Sequence, residues 1–492
     1  RIRVLLARRS RFGTLAQIGH YSTELKRGWK DKMQADGSET PKRRKDRPLE
    51  GVRVVDFTWV RAGPWAARWL ATLGAEVIKV EWPENMDMLR QNRFTVPPGV
   101  EPGPNSTGQF ADTNAGKLGL SINVRHPKGL EAIKSLVSVS DVVIENFSSR
   151  IMTRWGLGYD ELTKLRPDVV YVSMAGFGQT GRQHYFGTMG PAAQALSGLT
   201  HQSGLPGQQP AGWGWSYLDD TGGMYGAMCT LTALRHRNQT GQGQHVDLSQ
   251  MITGITLTGA AFLDKSINSR ESRREGYPPG NRTVWPGAPV VHNYRGPIAA
   301  PHNAFRTQQT HDGGYNDWCV IACLSDEEWT SLVGLMGGPD WAKASKYVTL
   351  EGRLEHQNEM DQGIEQWTKT IGKYDLADKC QAAGVRAMPV QSSEDRIEND
   401  PQLRHRGMFT KVNHPMLGDW KFQGAPFRLD GAKVAVKGPP PMIGEHTTKI
   451  MGDLLGVSSY ELLQGYEDGV YWPETTPKFP YVQQAIDEEA KR

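Results

Sequence analysis

The sequence predicts an α/β fold of the doubly wound kind, a mostly parallel sheet flanked by helices, with a smaller α+β unit in mid-chain. Three observations carry this. A strand, a helix and a second strand follow one another within residues 52–81. Strand-like and helix-like stretches keep alternating to about residue 263, the pattern that covers a parallel sheet on both faces. Periodicity then lapses over residues 264–300, rich in Arg, Gly and Pro, before a separate pattern resumes.

Taken in order, Val52-Arg53-Val54-Val55-Asp56-Phe57 reads as a buried strand and Ala62-Gly63-Pro64 as a turn. Residues 65–73 form a short helix with Pro64 near its first position, and residues 75–81 a second strand. Helices follow at 126–136 and 159–165, and strands at 141–145 and 167–174. Residues 189–214 are a long loop rich in Gly, Pro and Gln. A strand at 244–249 precedes a helix at 250–263. The central unit has a strand at 318–323 and helices at 326–336 and 357–371; a last helix lies around 449–455. These breaks divide the chain into a basic arm (1–48), the first part of a large domain (49–263), a linker with a small central domain (264–388), a C-terminal part (389–469) and a polar tail (470–492).

Composition narrows the function classes. Apolar content of 38% with 22% charged residues in 492 fits a globular chain of two or more domains. No window approaches eighteen consecutive apolar residues, so no membrane partner is expected. The formal charge of +4 conceals an asymmetry: residues 1–48 hold 14 Lys/Arg against 5 Asp/Glu, and the rest 43 against 48. The basic excess thus belongs to the arm, and with no recognisable nucleic-acid motif a nucleic-acid partner is not expected. Residues 1–23 contain no acid and resemble an organelle transit peptide, so the mitochondrial matrix stands as the alternative to a cytoplasmic location. Four cysteines without a second ligand pair imply no metal site. The first βα turn, Thr58-Trp59-Val60-Arg61-Ala62-Gly63-Pro64, lacks the glycines of a dinucleotide cradle, which disfavours an NAD enzyme.

Ligands of doubly wound sheets sit at the carboxyl ends of the strands. The stretches there are residues 59–63, 145–150 and 175–181. The most unusual stretch is Tyr217-Leu218-Asp219-Asp220-Thr221-Gly222-Gly223-Met224. It sets two acids and two glycines before an apolar run at helical spacing, with Arg235-His236-Arg237 near its end. On local grounds either acid caps the helix, or one of them is a nucleophile held where the helix dipole favours an anion.

Several blocks then resemble one family. They are Leu49-Glu50-Gly51-Val52-Arg53-Val54-Val55-Asp56-Phe57, Leu73-Gly74-Ala75-Glu76-Val77-Ile78-Lys79-Val80-Glu81, Asp141-Val142-Val143-Ile144-Glu145-Asn146-Phe147, Gly176-Phe177-Gly178-Gln179-Thr180-Gly181 and Gly444-Glu445-His446-Thr447. In that order they resemble the class III CoA-transferases of the CaiB/BaiF type, which include formyl-CoA transferases and α-methylacyl-CoA racemases. The resemblance implies a Rossmann-like large domain built from both chain ends, a small central domain, and two interlocked subunits. It implies coenzyme A, entering as an acyl-CoA substrate, and a carboxylic acid as the second substrate. Coenzyme A would pass from donor to acceptor through aspartyl anhydride and aspartyl-CoA thioester intermediates. A homodimer or a related heteromer is expected.

On the family's spacing Asp219 matches the nucleophile, with the Gly222 and Gly223 amides as oxyanion donors. Trp82 stands where the family often has an Arg near the CoA adenine and 3′-phosphate, which leaves Arg90, Lys117 or Arg150 to meet that phosphate. Arg61, Met189 and Trp215 are expected at the substrate. Met189 occupies the position of the racemase His and of the formyl-CoA transferase Tyr, and a thioether exchanges no proton. Transfer is therefore expected over racemisation or epimerisation, the alternative, and over a non-catalytic subunit of a transferase complex. Pro278-Pro279-Gly280-Asn281-Arg282 is the candidate for a shielding loop.

Overall fold

The computed structural model describes residues 46–203, 209–212, 214, 216–269, 299–310 and 317–472. Trp215, the 278–282 loop, the basic arm up to residue 45 and the tail from residue 473 lie outside the described residues.

Six parallel strands form the main sheet: β1 (Arg53–Asp56), β2 (Glu76–Glu81), β3 (Leu118–Ser121), β4 (Val142–Glu145), β5 (Val170–Ala175) and β6 (Gln244–Ser249). Their order is β3-β2-β1-β4-β5-β6, so the direction of winding reverses between β1 and β4. Side chains alternate between the faces. Val54, Ile144 and Val172 pack with α1 (Ala62–Thr72), while Val55, Val143 and Tyr171 pack with α2 (Pro127–Ser138) on the other side. Strand β3 escaped the sequence reading because Leu-Gly-Leu-Ser is short and carries a glycine.

The C-terminal segment closes the β3 edge. Gly116 N–H donates to Pro439 O at 3.0 Å, His446 N–H to Gly119 O at 2.9 Å and Asn123 N–H to Val470 O at 2.8 Å. Ile450, Met451, Leu462 and Tyr471 join the core under α2.

After β5 come α3 (Gly190–Leu196), α4 (Tyr217–Thr240), β6, α5 (Gln250–Ile255) and α6 (Gly259–Asn268). The single helix expected over 250–263 is interrupted by a 3₁₀ turn, Thr256–Thr258. Helix α4 starts earlier than its apolar run suggests, so Asp219 and Asp220 lie inside its first turn and not ahead of it. The central unit carries an antiparallel sheet, β7 (His302–Arg306), β8 (Trp318–Ala322) and β9 (Arg386–Pro389), covered by α7 (Asp326–Leu335), α8 (Gln357–Thr368) and α9 (Lys373–Ala382). Cys319, Cys323 and Cys380 are buried in its core, where burial pushes their thiols up to about 12, 12 and 11. No helix of the described residues is long and apolar enough to cross a membrane.

Candidate active site

Helix α4 lies against α1, and glycines make the close approach possible. A Cβ on Gly223 would lie 2.8 Å from Ala62 O and from Trp65 Cδ1, and one on Gly226 would meet Met174 and Ala66. This contact brings the first turn of α4 beside Arg61, which immediately precedes α1.

Asp219 is half-buried there. Gln250, the first residue after β6, donates its side-chain amide to Asp219 Oδ1. On the other oxygen stands Gly190, the first residue of α3: a Cβ at that position would lie 2.5 Å from Asp219 Oδ2. Burial raises the Asp219 carboxyl above the usual value of 3.8, and the charge of Asp220 adds to this; Gln250, Ser216 and Arg61 oppose the rise. The result is a carboxylate more basic than an exposed one and short of solvent, which is what a carboxylate nucleophile needs.

Asp220, its neighbour, is occupied differently. It accepts from Arg61 Nε at 2.8 Å. The Arg61 guanidinium also stands 3.6 Å from Asp112 and 5.3 Å from the centre of the Trp65 ring. The two acids that local sequence leaves equivalent are thus separated by their partners. One is capped by a neutral amide and the other is tied into an ion pair.

Other expected residues take different roles. Gly222 and Gly223 lie in the second turn of α4, so their amides continue the helical i→i−4 ladder and are not free to hold an oxyanion. Their value is steric: Gly223 admits α1, and Gly222 admits Gln250, whose Cγ would be 3.1 Å from an added Cβ. Arg90 is buried with all five donors spent within the chain, on Glu81 twice, Asn105 and the carbonyls of Pro104 and Pro441. Lys117 is likewise buried, its ammonium bonded to Asp56, Asn114 and Pro64 O, and burial lowers it to about 8. Neither is available to a phosphate in this arrangement. Arg150 is exposed in a left-handed conformation (φ 69°) and has no ion pair among the described residues. Trp82 is half-buried at the end of β2, edge-on to Trp472 with ring centres 5.7 Å apart. Met189 is exposed and precedes α3, one residue from the glycine that touches Asp219. His184 is bonded to Ser149 Oγ at 2.6 Å. Among the described residues no group of three or more His, Cys, Asp or Glu is placed to hold a metal ion.

Sequence reasoning missed Gln250 and Gly190. Gln250 had a usable signal, since it directly follows a strand of the main sheet and strand ends carry the site. Gly190 had none. Glu145, at the end of β4, is a further buried carboxyl, pushed up to about 7 by burial despite bonds from Ser173 and the Phe147 amide.

Comparison with known proteins identifies the family. The family described as CoA-transferase family III matches residues 49–447. The β subunit of a succinyl-CoA–L-malate CoA-transferase from Chloroflexus aurantiacus is 28% identical over 84% of this chain and 96% of its own length. A succinate–glutarate CoA-transferase from Agrobacterium fabrum is 31% identical over 83% and 96%. A crystal structure of a CAIB/BAIF family protein from Brucella suis superposes with a TM-score of 0.71 at 27% identity, covering 83% of this chain and 100% of that one.

Proposed function

Since the chain belongs to CoA-transferase family III and is an acyl-CoA:carboxylate CoA-transferase, we propose that it moves coenzyme A between dicarboxylic acids with Asp219 as the covalent carrier. The observation that carries this is the Asp219 carboxylate itself: half-buried, raised in pKa, and held by Gln250 opposite Gly190.

In the first step an Asp219 oxygen attacks the thioester carbonyl; the C–S bond breaks, giving a mixed anhydride and CoA thiolate. The thiolate attacks the Asp219 carboxyl carbon and expels the donor carboxylate, leaving aspartyl-CoA. The acceptor carboxylate attacks that thioester to form a second anhydride, and the returning thiolate takes the acceptor acyl group and frees Asp219. Over the full cycle one thioester is exchanged for another, so no external energy source is needed. Gln250 is the proposed donor to the oxygen that stays on Asp219, replacing the glycine amides in that role.

Arg61 is the proposed seat of the acceptor's second carboxylate. Its Asp220 bond at 2.8 Å is a true hydrogen bond, whereas the Asp112 contact at 3.6 Å is too long to be one. An incoming carboxylate displaces the looser contact at less cost. Both relatives named above act on dicarboxylates by their names. Arg150 is the proposed phosphate cation, with Trp82 and Met189 lining the approach.

Two copies are proposed to assemble through the apolar side chains that α4, α5 and α6 leave in water, among them Met228, Ile252, Phe262 and Ile267. A related chain as the second subunit is the alternative, since the Chloroflexus relative is a β subunit.

Intact-mass spectrometry of the enzyme mixed with succinyl-CoA tests the carrier. One coenzyme A is expected on wild type, mapped to Asp219, and none on Asp219→Asn. An adduct of equal yield on the variant refutes the assignment.

A further inference from the structure

The turn between β1 and α1, residues 57–61, and the start of α1 are pinned by groups on and beside the neighbouring strands. Phe57 N–H donates to Ile144 O at 2.9 Å. The Thr58 carbonyl accepts from Lys79 Nζ at 2.6 Å. Asn146 grips Trp59 from both sides, accepting its N–H at 2.7 Å and donating to its carbonyl at 2.9 Å. Val60 N–H donates to Asp87 Oδ1 at 3.1 Å, and the Pro64 carbonyl accepts from Lys117 at 3.0 Å. Lys79, Asp87 and Lys117 are all buried, and the Lys79 ammonium stands 3.3 Å from the second Asp87 oxygen.

Within this frame Val60 is held at φ 64°. A β-branched residue enters the left-handed region only where its surroundings over-determine it, and such positions gather at working sites. The next residue is Arg61. The Val60 dihedrals set the direction in which the Arg61 Cα carries its side chain, so relaxation of Val60 to negative φ would swing the guanidinium away from Asp220.

We propose that Asp87 and Val60 are positioning residues for acceptor choice: the buried Asp87 carboxylate, by accepting the Val60 amide, locks the left-handed turn that holds Arg61 one residue from the nucleophile. This rests on the reading of Arg61 as the seat of the acceptor's second carboxylate. The cation is then in place before the acceptor arrives, and binding requires no reordering of the loop.

The test compares Val60→Pro, Asp87→Ala and Arg61→Met with wild type. Each is assayed for CoA loading from propionyl-CoA, which carries no second carboxylate, and for the KM of glutarate against butyrate. Proline fixes φ at about −65° and has no N–H to give Asp87, so Val60→Pro removes the lock at its own residue while the Asn146 and Lys79 bonds to the turn remain. For Val60→Pro, and for Asp87→Ala if it folds, the glutarate KM is expected to rise about tenfold, within the roughly 100-fold that a misplaced group costs. The butyrate KM and the loading rate are expected to stay within about twofold, because neither needs the placed cation. Arg61→Met raising the glutarate KM while Val60→Pro leaves it unchanged overturns this proposal alone. An unchanged glutarate KM in Arg61→Met overturns the reading beneath it as well.

Discussion

Asp219 works, on this account, because its surroundings push it in two directions at once. Burial and Asp220 raise its pKa, while Gln250, Ser216 and Arg61 keep the rise in check. A raised carboxyl pKa means that the ionised, attacking form is lost as pH falls through a value above 3.8. Single-turnover CoA loading should therefore decline on the acid side with a midpoint above that of an exposed Asp. Asp220→Asn removes one of the raising causes and leaves Arg61 uncompensated, so its acid limb should move to lower pH. Stopped-flow loading between about pH 4 and 8 checks this; an acid limb unmoved or moved upward contradicts it. At this scale the sequence singled out Asp219 through its family spacing. It left the two acids equivalent on physical grounds, because the partners that distinguish them come from Arg61 and Gln250, remote in sequence.

At the scale of elements, the site depends on how closely α4 lies against α1. Gly223→Ala tests that contact. Alanine favours a helix interior by about 0.5–1 kcal/mol over glycine. Against this, the new methyl would sit 2.8 Å from a backbone carbonyl and from the Trp65 indole, neither of which can step aside cheaply. Overpacking of this kind costs about 1–3 kcal/mol, so the clash wins. Urea unfolding should show a net loss, and CoA loading should slow because α4 carries Asp219. Gly222→Ala faces only the flexible Gln250 side chain at 3.1 Å and should be milder. The pair of glycines was plain in the sequence, but its purpose was not. Read locally, glycines beside an acid suggest exposed amides; packed in the fold, their amides are spent in the helix and only their missing side chains matter. Arg90 and Lys117 teach the same lesson, since the partners that consume them, Glu81, Asn105 and Asp56, come from other segments.

For the whole molecule, the apolar side chains left in water on α4 to α6 set the expected assembly. Phe262 is 52% exposed and Ile267 73%. Phe262→Glu places a charge that must be desolvated if that face is covered by a second copy. Light scattering should show wild type as a dimer and the variant shifted toward monomer; a wild-type monomer, or an unaffected dimer, excludes this face. The alternation of Val-rich strands with amphipathic helices was enough to determine the α/β class and the βαβ start, because both follow from local periodicity. Ordered sequence blocks likewise sufficed to bring out the transferase family. What only the tertiary structure decided is which charges are free and which are consumed, that β3 joins the sheet, and that Gln250 and Gly190 flank Asp219. These depend on contacts between segments far apart in the chain, and no local pattern of residues records a partner that only folding brings near.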